Sequence, residues 1–346
     1  MKLKSLQGFC GRTYLTAKIF SKLVLPHLYG KVISNTVSRC LIIYKPSSAV
    51  LGLTYRCQCH CVHCSAGSYR YEVSQDLSTT EWMGLLDAIH QLGVPRINLT
   101  GGEALLREDI FDIIAYAAKK IVVILESNGL LISDEVALKL KKAKVSCVAV
   151  SIDSVDGPGH DSFRGVQGCV DNAIKGIEHL NKARIPFMAT YIRAENARVD
   201  YIQGFMDLAK KMNVMAVRIL PPRPAGNFSC HVDALLSKEN ETLIRENTDL
   251  FMFYFNGMPA PRMCGTFSKA TFYISPYGDI QLCPYLSISF GHIKDGSLRS
   301  LLEKMWSHAI FQDDGTDCFV LNASFRKRYL DGCVSYPCDD TILMNE

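Results

Sequence analysis

The sequence predicts an α/β protein built on a parallel sheet or barrel, with a smaller cysteine-bearing unit after it. Three observations predict this. Short apolar runs and helix-like segments alternate from residue 51 to about Leu220, the pattern of consecutive βα units. A proline-rich stretch, "PPRPAGN" (221–227), then breaks the rhythm. Beyond residue 258 the texture is richer in turns and carries Cys264, Cys283, Cys318, Cys333 and Cys338.

Taken in order, "LGLTY" (51–55) is a strand candidate that runs straight into a cysteine cluster. "LSTTEWMGLLDAIHQLG" (77–93) opens on Ser/Thr caps, carries helical apolar spacing and stops at Gly93. "RINLTGGE" (96–103) reads as a strand ending in a glycine turn, and "REDIFDIIAYAAKK" (107–120) as a helix. "IVVILESNG", "VSCVAVSID", "IPFMATYI" and "VMAVRIL" follow as strands. The helices "SDEVALKLKKA", "CVDNAIKGIEHLNKA" and "VDYIQGFMDLAKKM" lie between them. Such folds place their chemistry at the C-terminal ends of the strands. A helix is expected at 235–256, and "SPYGDIQLC" (275–283) reads as a hairpin presenting Cys283. The domain boundaries expected are a basic helical extension over 1–49, the core over 50–222, a linker and helix over 223–257, and the small unit over 258–346.

The chain of 346 residues is 48% hydrophobic, enough for a large domain with or without a small one. No stretch approaches the ~18–20 unbroken apolar residues of a membrane span. The net charge of +4 conceals an asymmetry: no Asp or Glu precedes Glu72, while ten Lys or Arg residues do. That start suits an anionic surface or partner, or simply a solvated helical face. "AKIFSKLVLPHLYGKVI" (17–33) mixes apolar residues with lysines as an interfacial segment does. Nucleic-acid binding is not expected, because no recognisable motif interleaves aromatics with the basic residues. Fourteen cysteines in a chain able to bury an ample core point to thiolate metal sites rather than disulfides. Tight clustering also defeats disulfide geometry. The expected location is cytoplasmic, with a peripheral membrane contact through the basic start.

"CQCHCVHC" (57–64) holds four cysteines and two histidines. Cys57, Cys61 and Cys64 are spaced C-x3-C-x2-C, and Cys59 stands outside that spacing. His60 and His63 are zinc-ligand types, yet no second C-x2-C-like hook lies suitably nearby. The triad, placed directly after the first strand, resembles the signature of the radical S-adenosylmethionine (SAM) superfamily. A [4Fe–4S] cubane takes four thiolates, so a loop supplying three leaves one iron for SAM.

The ordered motifs that follow extend the resemblance over roughly residues 50–222. "TGGEALLRED" (100–109) is similar to the family's GGE motif, which implies that Gly101, Gly102 and Glu103 meet the SAM amino group. Ala104 replaces the proline usual after it. "ESNGLLI" (126–132) implies ribose contacts at Ser127 and Asn128. "VSIDSVDGPGHDSFRG" (150–165) implies Ser151 toward the cofactor and Arg164 for its carboxylate. His63 occupies a position where the family carries a ring near the adenine. The implied fold is a partial, TIM-like (β/α)6 barrel. The implied reaction is reductive cleavage of SAM to a 5′-deoxyadenosyl radical that takes hydrogen from a substrate C–H bond, using an electron donor such as flavodoxin or ferredoxin.

"CGTFSKATFYISPYGDIQLCPY" (264–285) resembles the C-x(9–15)-G-x4-C opening of SPASM and twitch domains, which hold auxiliary clusters. The later C-x2-C-x5-C-x3-C stretch is missing. One auxiliary [4Fe–4S] cluster is therefore expected on Cys264, Cys283, Cys318 and either Cys333 or Cys338. The substrate is expected to be a small molecule, a lipid-like molecule or a peptide; the short N-terminal segment leans toward the first two. The alternative to an enzyme is a non-catalytic iron–sulfur or zinc-binding scaffold, which needs no SAM motifs.

Overall fold

The computed structural model describes residues 46–67, 75–154, 156–191, 199–229, 237, 239, 252–254, 264–311, 318–329 and 338–339. The basic start expected to meet membranes, Cys333 and most of the helix expected at 235–256 lie outside the described residues.

Six βα-type strands form as the sequence predicts: β1 (Ser48–Thr54), β2 (Arg96–Gly101), β3 (Val122–Ser127), β4 (Cys147–Ser151), β5 (Phe187–Tyr191) and β6 (Ala216–Ile219). Each pairs in parallel with the next. Helices α1 (Thr79–Gln91), α2 (Ile110–Ala117), α3 (Asp134–Lys142), α4 (Gly157–Arg164), α5 (Cys169–Lys182) and α6 (Val199–Lys211) connect them. In α1, Ser78 and Glu81 close a capping box, and Trp82, Leu85, Leu86 and Ile89 form the buried stripe. That i, i+3, i+4, i+7 spacing lays one face on the sheet. Leu51, Leu99, Val123, Val148 and Val217 meet it from the strands.

Helix α4 was not expected from the sequence, where residues 150–165 read together as the segment of the fourth strand. The signals were nevertheless present. Asp156 caps the Gly159 N–H at 2.9 Å, Pro158 occupies the first turn, and Gly165 ends the helix at φ +67°.

The opposite face of the strands carries small or polar residues. Cys147, Ala149, Met188 and Ala216 cluster there. Across them Glu126 of β3 meets Arg218 of β6, with Nη1–Oε1 at 2.8 Å. Strands β4 and β5 stand between those two, so a flat sheet would hold them about 14 Å apart at ~4.8 Å per strand. Direct contact requires the sheet to curl into an arc, and this arc is the partial barrel.

At both edges the sheet runs further than expected. Met252–Tyr254, inside the expected helix, is instead a strand, β7, parallel to β6. On the other edge β8 (Thr271–Ile274) pairs in parallel with β1. Strands β9 (Asp279–Cys283) and β10 (Leu286–His292) follow antiparallel, and β11 (Cys338–Asp339) closes an 11-stranded order. The cysteine-bearing hairpin thus continues the core sheet rather than starting a sheet of its own. Gly52 shows how the join fits: a Cβ there would lie 2.1 Å from the Tyr273 hydroxyl. Helices α7 (Leu298–Ser307) and α8 (Ala323–Tyr329) complete the described elements. Among the described residues no helix is long and apolar enough to cross a membrane.

Candidate functional site

All six core strands run in one direction, so the segments leaving their C-terminal ends gather at one mouth. The cysteine loop leaves β1 there and is clamped from three directions. The β2 turn donates Gly102 N–H to Thr54 O at 2.6 Å and Glu103 N–H to Arg56 O at 2.9 Å. The end of α4 accepts His60 N–H at Arg164 O (2.9 Å) and Val62 N–H at Phe163 O (3.0 Å). The exit loop after β6 gives Asn227 Nδ2 to Cys61 O and Asn227 N–H to Cys64 O, both at 3.0 Å. The glycines are explained by these approaches. A Cβ on Gly101 (φ +129°) would sit 2.2 Å from Thr54 O, and one on Gly226 (φ +55°) 2.3 Å from Cys64 O. Asn227 and Gly226 are functional candidates that the sequence offered only as a rigid exit loop.

Cys57, Cys61 and Cys64 form no disulfide; Cys57 and Cys64 are half-buried and Cys61 is buried. Cys59 is fully buried and packs with Cys61 and Cys169, the first residue of α5. A hydrogen bond with the Cys169 thiol pushes the Cys59 thiol up, helped by bonds with Cys57 and Cys61 and by burial. Cys169 is correspondingly lowered to about 5. Cys169 therefore belongs to the loop's surroundings, a neighbour that its distant sequence position concealed. Among the described residues no three His, Cys, Asp or Glu side chains close in on a single-ion site. Thiols that serve a cubane bind separate irons, and the three spaced thiols at the mouth fit that donor set.

Glu103 is fully buried. Its carboxylate accepts Ser127 Oγ at 3.1 Å, Asn128 N–H at 2.9 Å and Leu105 N–H at 3.1 Å. Burial pushes it up to about 7 despite those bonds. In this structure the side chain braces the ends of β2 and β3 from inside. Ser127 is spent on the same carboxylate. Asn128 points its amide at Cys57 Sγ, 3.8 Å away, rather than toward open space.

Ser151, half-buried, ends β4 on the same face as Cys147 and Ala149. Arg164 is bound to Asp153 beside the cysteine loop, with Nε–Oδ2 at 2.6 Å, and is only 5% exposed. Its Nη2 and Asp153 Oδ1 are buried without a hydrogen-bond partner. That orphaned pair leaves polar capacity for a ligand or water, with a single nitrogen of the guanidinium available. His63 stacks on Phe163, ring centroids 4.6 Å apart, and burial lowers it to about 4, so it serves as a neutral ring.

The second cysteine set also converges. The Cys264 thiol, hydrogen-bonded by Cys318, is lowered to about 6. Burial pushes Cys283 up to about 12, and the Cys264 charge adds to the rise. Buried Arg223, from "PPRPAGN", lies within electrostatic reach of Cys283 and Cys318. The backbone of Cys338 is in β11, paired with Ile288.

Comparison with known proteins agrees with this arrangement. The chain matches the Radical SAM superfamily over residues 51–204. It is 35% identical over 176 residues to the AdoMet-dependent heme synthase of Methanosarcina barkeri, covering 50% of each chain. It is 27% identical over 282 residues to the mycofactocin maturase MftC of Mycolicibacterium smegmatis, covering 74% of this chain and 69% of the relative. The chain thus spans about half the length of the first relative and rather more of the second. In fold it is similar to Streptococcus suis SuiB bound to the precursor peptide SuiA, at a TM-score of 0.58 and 14% identity, over 81% of this chain and 67% of that one. The cysteine triad and the strand-end motifs, in their order, lie within the segment that matches the Radical SAM superfamily, residues 51–204.

Proposed function

We propose that this protein is an enzyme that reductively cleaves SAM at a [4Fe–4S] cluster on Cys57, Cys61 and Cys64 and abstracts hydrogen from a substrate C–H bond. The carrying observation is the clamped loop: three thiols of the right spacing, none in a disulfide, at the mouth of the barrel. When bound, the cluster and SAM supply the radical that breaks the C–H bond. The chain's own residues bind and shield. The β2 turn, the end of α4 and Asn227 fix the loop backbone, and Glu103 locks the β3 end against it. Ser151, Arg164 Nη2 and the neutral His63 ring are the contacts we assign to SAM, with the Gly101–Gly102 backbone at its amino group.

The substrate class we propose is a peptide or a small molecule. The relatives' names point to a heme synthase and a mycofactocin maturase, and SuiB was captured with a precursor peptide. The donor of the electron is read as a flavodoxin or ferredoxin. The acid-free basic start supports cytoplasmic enzyme held peripherally at anionic surfaces. Salt-sensitive co-sedimentation with anionic vesicles, lost on deleting residues 1–45, is the expected result; equal sedimentation discards it.

We also read residues 258–346 as a SPASM/twitch-like unit with one auxiliary [4Fe–4S] cluster on Cys264, Cys283, Cys318 and Cys333 or Cys338. Convergence of the first three thiols supports it. One experiment tests both sites. Anaerobically reconstituted wild type, given dithionite and SAM, is expected to release 5′-deoxyadenosine. The variant with Cys57, Cys61 and Cys64 all replaced by alanine is expected to release none, yet to keep about four irons by cubane stoichiometry. No nucleoside from the wild type sinks the catalytic reading, and iron near zero in the variant sinks the auxiliary one.

A further inference from the structure

The sulfur of Cys57 receives two N–H donors. One is local: the Cys59 backbone N–H at 3.4 Å. The other, the Asn128 side-chain amide at 3.8 Å, comes from 71 residues away at the end of β3.

The orientation of that amide is fixed by chemistry. Asn128 Oδ1 accepts the Leu130 backbone N–H at 3.0 Å and Gln58 Nε2 at 3.4 Å. A backbone N–H can only donate, so the oxygen must face Leu130 and Nδ2 must face the sulfur. The residue itself is held in place. Its backbone N–H is bound to Glu103 Oε2 at 2.9 Å, and it is only 6% exposed. The next residue, Gly129, turns at φ +86°, where a Cβ would lie 2.9 Å from Ala173 Cα. A side chain pinned at its backbone, its oxygen and its neighbour has one place to put its donor.

We propose that Asn128 is a hydrogen-bond donor to the cluster ligand Cys57 and sets the reduction potential of the catalytic cluster. The proposal rests on the reading of Cys57, Cys61 and Cys64 as ligands, and it replaces the ribose contact expected of Asn128. Reduction adds negative charge that is shared with the ligand sulfurs. A donor aimed at one of them stabilises the reduced form more than the oxidised form and raises the potential. Burial strengthens the effect, because little water competes for the bond. Glu103 is then a positioning residue: by holding the Asn128 backbone it ties the GGE turn to the cluster's tuning.

The test compares wild type with Asn128→Asp and Asn128→Ala, reconstituted anaerobically with SAM present. The catalytic cluster is identified by the EPR signal that changes on adding SAM, and its midpoint potential is read by titration of that signal. Both variants are expected to titrate at more negative potential, by about tenfold in the reduction equilibrium, or about 59 mV for one electron. Unchanged potentials in variants that carry the signal overturn the proposal. Should the variants fail to assemble a cluster, wild type labelled with 15N-asparagine decides. Weak 15N coupling on the SAM-sensitive signal supports the bond, and its absence removes it. A wild type with no SAM-sensitive signal at all sinks the ligand reading, and this proposal with it. That failure is distinct from an unmoved potential.

Discussion

Serine at Cys57, Cys61 or Cys64 is expected to cut SAM cleavage by more than about 100-fold, the upper loss seen when only a ligand's partner is changed. Serine at Cys59 is expected to leave cleavage in place. The two outcomes follow from position on one loop. Cys57 and Cys64 are half-buried at the mouth, whereas Cys59 is fully buried and shares its thiol with Cys169. A hydroxyl in place of the Cys59 thiol keeps the donor and removes no cluster ligand. Readouts are iron content, the visible charge-transfer band and 5′-deoxyadenosine after reduction. Because the Cys59 thiol also touches Cys57 and Cys61, the comparison is discriminating. A cluster lost in Cys59→Ser and kept in Cys57→Ser would move the ligand register by two residues.

The sequence made the βα alternation and the cysteine triad legible because both are local patterns. Capping and apolar spacing wrote α1, and the C-x3-C-x2-C spacing wrote the loop. What it concealed depends on contacts across the fold. Nothing in "GPGHDSFR" separates a loop from α4 until Asp156 and Gly165 are read as its two ends. The GGE turn was legible as a motif but not in its packing. Its glycines admit the Thr54 and Arg56 carbonyls, and its carboxylate faces inward to Ser127 and Asn128. The pairing of Arg164 with Asp153, eleven residues earlier in the segment after β4, is likewise visible only in three dimensions. The second cysteine set read as a separate unit because a hairpin signal says nothing about its neighbours. The parallel pairing of β8 with β1 is visible only in three dimensions.

The same curvature carries the remaining large effect. Replacing Arg218 by Met is expected to destabilise the protein by about 3–5 kcal/mol, the usual result of leaving a buried charge without its partner. Arg218 is 4% exposed and holds both Glu126 oxygens, while its Nε and Nη2 reach Thr190 Oγ1 at 3.2 and 2.9 Å. Asn98 adds a bond to the same carboxylate. Burial alone would push the Glu126 carboxyl up, but the Arg218 charge and the bonds from Arg218 and Asn98 hold it below its ordinary value. In the wild type, then, the ionised pair contributes stability above the ordinary carboxylate range, and that contribution fades as pH falls through the lowered value. Without Arg218, burial wins and the carboxyl rises. The variant's deficit is therefore largest near pH 8 and shrinks on acidification, as the raised carboxyl takes up its proton. Denaturant midpoints near pH 8 and at acid pH, measured anaerobically by circular dichroism, read this directly. Glu126→Gln combined with Arg218→Met should recover much of the loss, because no charge is then left unpaired. Equal midpoints for wild type and Arg218→Met, or a deficit that grows on acidification, would show that the pair does not hold β3 against β6. The arc of the barrel would then owe its curvature to the small residues between them, Ala149 and Ala216.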